Sequence, residues 1–129
     1  VRVTASLPPG TYYVRVRGVG RTGPGAAGSE VIVSVPALSV PPDAPSALRA
    51  SVSSGVITLT WAAAAGNATT YVVEAGTAPG LTNIATVPLG HLDTVWSAPA
   101  PSGTYYVRVR AANEFGVSPP TNEVVVVVP

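Results

Sequence analysis

The feature that most constrains this chain is that it repeats itself. Sliding the sequence by 93 residues lays 1–36 on 94–129 without a gap, with 16 identities in 36 positions. "GTYYVRVR" stands at 10–17 and again at 103–110, and "SEVIVSVP" at 29–36 falls on "NEVVVVVP" at 122–129. Solenoid units repeat every 20–50 residues or so, whereas a period near 90 suits tandem β-sandwiches of roughly 100 residues each. Residues 1–36 are therefore expected to be the C-terminal part of one domain, contributing its last three strands. Residues 37–45 read as a Pro-rich linker and 46–129 as a complete second domain. The same spacing predicts roughly 55 residues of the first copy ahead of Val1.

Strands are what the rest of the chain favours. Lys, Gln and Met are absent, 47% of residues are hydrophobic and only 10% are charged, against about 25% charged in ordinary globular chains. Val and Thr with Gly/Pro punctuation favour strands joined by tight turns. The alternation has period two, so alternate residues share a face. Leu48, Ala50 and Val52 form one inward row; Ile57, Leu59 and Trp61 form another; Tyr71, Val73 and Ala75 a third. Residues 78–90 read as a turn-rich connection with one short edge strand. Thr94, Trp96 and Ala98 point inward, matching Val1, Val3 and Ala5 of the first copy. Tyr105, Val107, Val109 and Ala111 face the core, as do Val124, Val126 and Val128. Seven strands result. The four prolines of "PALSVPPDAPSA" (36–47) read as a semi-stiff extended connection.

Taken together, these residues resemble a fibronectin type III domain over essentially the whole second copy. The resemblance rests on the entry "PPDAPSAL", Trp61 in the second strand and Tyr71 in the third. It rests also on "GTYYVRVRAANEFGVSPPTNEV", which is similar to the family's Y-x-V-x-V-x-A-x-N-x-x-G signature with a following S-x-x-x-N-E-V. Tyr105, Val107, Val109, Ala111, Asn113, Gly116, Ser118, Asn122, Glu123 and Val124 carry the match. "EAGTAPGLTNIA" resembles secreted bacterial members. The resemblance implies an all-β, immunoglobulin-like sandwich with the first, second and fifth strands in one sheet and the other four in the second. It further implies a non-catalytic module of a tandem-repeat protein, outside the cell or on its surface. One departure stands out: the family's Leu before the Tyr strand is kept as Leu7 in the first copy but is Ala100 in the second, which predicts looser packing at that corner.

Few residues offer chemistry. The outward row Tyr106, Arg108, Arg110, repeated as Tyr13, Arg15, Arg17, is a candidate binding face for a polysaccharide or another anionic polymer. It would then serve as the accessory carbohydrate- or protein-binding domain of a secreted hydrolase. The competing reading pairs these arginines with Glu74 and Glu123 across neighbouring strands. Trp96 could be a sugar-stacking platform, but its parity with Val3 points it inward. His91 and Asp93 sit two apart near a turn; the single histidine leaves too few ligands for a typical zinc site, and nothing around the pair suggests a nucleophilic triad. The six acids are scattered without calcium-loop spacing. Asn67 of "NAT" is a glycosylation sequon. The glycine-rich 18–28 runs between strands, whereas a phosphate loop leads into a helix. A formal charge of +1 gives no field for nucleic acid, and no apolar run nears the roughly 20 residues of a membrane helix. No cofactor is expected. The expected partners are neighbouring domains of the same protein, or other copies of itself joined by strand pairing, because the inward face of 1–36 lacks its covering strands.

Overall fold

A computed structural model describes residues 1–37 and 39–129; Leu38, within the expected linker, lies outside the described residues. The chain divides into two units, Val1–Leu38 and Ser39–Pro129. All regular structure is β, with no helix among the described residues.

The first unit holds β1 (Gly10–Val14), β2 (Arg17–Gly20), β3 (Gly23–Ala27) and β4 (Val31–Val35). β1 pairs with β4 and β2 with β3, both antiparallel. The second unit holds β5 (Ser46–Ser53), β6 (Val56–Ala62), β7 (Thr70–Gly76), β8 (Ala85–Pro88), β9 (Val95–Pro99), β10 (Gly103–Asn113), β11 (Gly116–Val117) and β12 (Val124–Val128). Its strands form two sheets. One has the order β5-β6-β9; in the other β8, β7 and β10 follow in order, with β11 and β12 both on the far side of β10. This is the expected split, with the first, second and fifth strands on one side.

The strand count differs from seven. The expected last strand is β12, and the additional β11 lies in the stretch 113–120, expected as a loop; between them 118–123 bond to β10 outside the regular ladder. Ser118 N–H donates to the Ala111 carbonyl and Thr121 N–H to that of Val109, both at 2.8 Å. The first unit has four strands instead of the expected three. Residues 1–5, expected to match the strand carrying Trp96, form none and leave Val1 and Val3 exposed. The glycine-rich 18–28, read as a turn, supplies β3. The long strand that is continuous as β10 is cut at Arg15–Val16 into β1 and β2. In β10 the equivalent residues, Arg108 and Val109, lie on the ladder to β7, opposite Glu74 and Val73. No strand of the first unit stands in the place of β7.

Within these limits the two copies are superimposable in register. Gly10↔Val35 through Val14↔Val31 corresponds, residue for residue at the 93 shift, to Gly103↔Val128 through Val107↔Val124. The Tyr12 hydroxyl donates to the Pro8 carbonyl at 2.8 Å, and the Tyr105 hydroxyl to that of Pro101 at 2.8 Å. Closely similar local sequence gives the same pairing register.

Between the sheets of the second unit lies the core: Leu48, Ile57, Leu59, Trp61, Tyr71, Val73, Val107, Val109, Ala111, Val126 and Val128. Trp61 and Tyr71 meet edge to face, with ring centroids 5.3 Å apart at 76°, a favoured aromatic geometry. The turn between β5 and β6 is two residues, Ser54 and Gly55, at φ 50° and 76°. Positive φ at both positions is the type I′ requirement that matches strand twist. The Pro-rich stretch is also part of this unit from Val40 onward. Pro42 and Pro45 are buried, Asp43 N–H donates to the Ala65 carbonyl at 3.1 Å, and Asn113 Nδ2 donates to the Val40 carbonyl at 2.8 Å.

Candidate functional site

The outward face of β10 carries Tyr106, Arg108 and Arg110 because alternate residues of a strand share a side. Register places Glu74 of β7 directly opposite Arg108. Arg108 Nε donates to Glu74 Oε2 at 2.6 Å and Arg110 Nε to Glu74 Oε1 at 3.0 Å. One carboxylate thus bridges both guanidinium groups. Arg110 Nη1 also donates to the Ser118 carbonyl at 3.0 Å, while Arg108 Nη1 stands 3.9 Å from Glu123 Oε2. That same oxygen accepts the Gly80 N–H at 3.0 Å. Burial by itself would push the Glu74 carboxyl up; hydrogen bonds and charge from Arg108 and Arg110 outweigh it and hold the group below its ordinary value. Both arginines of this row therefore direct their Nε donors to a carboxylate of the neighbouring strand.

The first copy differs. Tyr13 is 65% exposed, Arg15 and Arg17 are exposed, and no ion pair holds either arginine among the described residues. The structure thus gives the two rows unequal surroundings, although they have the same sequence.

The core signature residues meet at the centre of the second unit. Val107 and Val109 are buried; Tyr71 Oη accepts the Ala64 N–H at 3.0 Å; Trp61 Nε1 is buried without a partner among the described residues. Asn67 is exposed in the loop between β6 and β7. His91 Nδ1 and Asp93 Oδ2 are 3.3 Å apart and both side chains are largely exposed. Among the described residues no three His, Cys, Asp or Glu side chains converge as a metal site would need.

Two features escaped the sequence reading. The first is a polar clamp: Asn122 Oδ1 accepts the Leu48 N–H and its Nδ2 donates to the Leu48 carbonyl, both at 3.0 Å. Asn122 was visible as part of a motif, but its partner lies 74 residues away. The second is an apolar cavity of about 300 Å³ between the sheets, on the side where β8 and β9 are the edge strands. Ile57, Val73, Trp96, Ala100 and Tyr105 are among its walls. Trp96 is half-buried and packs against the core. Ala100, where the first copy has Leu7, lies on the same cavity.

No family model and no curated protein matches the chain. Solved structures do. The chicken CNTN1 FN1–FN3 domains match over 95% of this chain with a TM-score of 0.61 at 19% identity. A titin segment, domains A168–A170, matches over 77% with a TM-score of 0.54 at 24% identity. An Fn3-like protein from Clostridium thermocellum covers 66% of this chain with a TM-score of 0.54 at 25% identity. The fold is that of a fibronectin type III domain. This chain spans 44% of the CNTN1 structure and 36% of the titin one, but 91% of the clostridial protein.

Proposed function

We propose that this chain is a non-catalytic spacer from a tandem-repeat protein that works outside the cell or on its surface as a building block of a fibre. The observation that carries the reading is the anchoring of the connection to the second unit. From Val40 to Pro45 the Pro-rich stretch is held on the second unit by two hydrogen bonds and two buried prolines. A short, proline-stiffened connection transmits direction and force, whereas a Gly/Ser linker would only tether. The bridging of Arg108 and Arg110 by Glu74 supports the same reading against a polysaccharide-binding role, because it gives that face an internal purpose.

Stretching the full chain between two handles tests it. A spacer unit of about 90 residues should yield in one cooperative step with a length gain of roughly 300 Å, from about 3.3–3.6 Å per extended residue. Gradual extension without a step would count against it. Co-sedimentation with insoluble polysaccharides is the second arm. Retention that disappears with Tyr106→Ala and Arg108→Ala would replace the spacer reading with an accessory binding domain.

A further inference from the structure

The apolar cavity of the second unit is larger than the residue at its corner accounts for. Ala100 in place of a leucine such as Leu7 removes three carbons, about 90 Å³ at roughly 30 Å³ per water-sized group, whereas the space measures about 300 Å³. The rest comes from further alanines on both sheets: Ala75 of β7, Ala85 of β8 and Ala98 of β9 also line it. Ala75 and Ala85 are register partners, and Ala98 stands beside Ile57. Trp96 does not plug the space but forms part of its wall, as does Tyr105. The Tyr105 hydroxyl already donates to the Pro101 carbonyl at 2.8 Å, and among the described residues no charged side chain lines the space. Ile84 and Pro101 of its walls are exposed. The space therefore reaches solvent on the side of β8 and β9, the edge strands of opposite sheets.

We propose that this cavity is a binding site for a small, neutral aromatic molecule of about ten carbons. An apolar cavity of about 150 Å³ stays dry and takes up benzene, and the space here is about twice as large. At roughly 30 Å³ per group it holds about ten groups, the size of naphthalene rather than of benzene. Charge is selected against, because an ion would give up its water for walls that offer it no partner. An aromatic ring gains beyond its buried area, since Trp96 and Tyr105 present rings to it. A fault left by one truncated side chain would open one side chain's worth of space. Here positions on β7, β8, β9 and the turn into β10 recede together. The site lies within the second unit and is independent of the spacer reading, so either can fail while the other stands.

Titrating the full chain with naphthalene and with benzene, followed by methyl and indole NMR signals, tests the site. Naphthalene should shift the methyls of Ala75, Ala85, Ala98 and Ala100 and the Trp96 indole saturably. Its four extra carbons should make it bind about 10-fold or more tighter than benzene. Ala100→Leu takes up about a third of the space. It should weaken naphthalene about 10-fold or more while leaving benzene within about 3-fold. Ala85→Leu fills the space from the β8 side and should act in the same way, so the comparison survives if one variant does not fold. Ala63→Leu, at an exposed position, should leave both affinities as they are. Naphthalene that binds no tighter than benzene overturns the proposal, and so does a naphthalene affinity that neither cavity variant lowers. Sedimentation of the chain alone is the last arm: a dimer whose formation shifts the Trp96 indole and the same alanine methyls would make a second copy the occupant and overturn it too.

Discussion

Filling the cavity beside Ala100 is the sharpest test of how this sandwich is packed. Ala100 lines a space of about 300 Å³ whose walls are almost wholly carbon, and the first copy carries Leu7 at the matching position. Ala100→Leu adds three carbons. At about 0.8 kcal/mol per buried methylene the transfer gain is roughly 2.4 kcal/mol. Fixing the leucine rotamer costs about 0.5–1 kcal/mol, which leaves about 1.5 kcal/mol. For a domain of this size each kcal/mol moves Tm by about 4–8 °C, so the variant should melt roughly 6–12 °C higher. Tryptophan fluorescence is the natural probe, because the chain's two tryptophans, Trp61 and Trp96, both lie in the second unit. Ala63→Leu, at an exposed position, is the control and should change Tm little. A Tm that is unchanged or lowered in Ala100→Leu refutes the reasoning. It would mean that the space is already filled, or that its walls cannot part for a leucine without strain.

Three further outcomes follow from the same packing. Glu74 is held below its ordinary pKa of 4.5 in the folded chain. Its stabilisation is thus fully present above the unfolded-state value and is lost as pH falls through the folded one. Urea titrations from pH 6 to pH 3 should show wild type and Glu74→Gln converging, and parallel curves would contradict the ion-pair assignment. Asn122→Ala strands both backbone groups of Leu48 and should cost about 1–3 kcal/mol; equilibrium denaturation within about 0.5 kcal/mol of wild type would show the clamp to be idle. Gly76 leaves no room for a side chain, since a Cβ there would overlap the Leu81 carbonyl. Gly76→Ala should therefore lose about 3 kcal/mol or fail to fold, and a wild-type melting curve would be the adverse result.

How much of this was legible depends on the range of the interaction. The rows Ile57–Leu59–Trp61 and Tyr71–Val73 were readable because period two is a property of a single strand. Even the hairpin register was readable, since the same segment written twice builds the same ladder twice. The outward Tyr-Arg-Arg row was equally visible, but its role was not. Whether Arg108 and Arg110 face a ligand or a carboxylate depends on which strand lies beside β10, and that neighbour comes 34 residues earlier in the chain. Asn122 and the Leu48 backbone illustrate the same limit at longer range, and the cavity illustrates it for volume: Ala100 signals a missing side chain, but only packed sheets show what space remains.

By itself, then, the sequence determined the all-β class, most of the alternating faces and the duplicated segment, while the resemblance it carries implied the assignment of strands to two sheets. Tertiary structure alone decided that one long strand would remain whole while its twin would break. β10 and the segment 10–20 begin with the same eight residues, yet β10 runs unbroken from Gly103 to Asn113 and the other parts at Arg15–Val16. Up to Arg17 and Arg110 the local propensity is the same in both, and the break falls inside that shared stretch. The difference is a neighbour, because a strand is held by hydrogen bonds and contacts that another strand must supply.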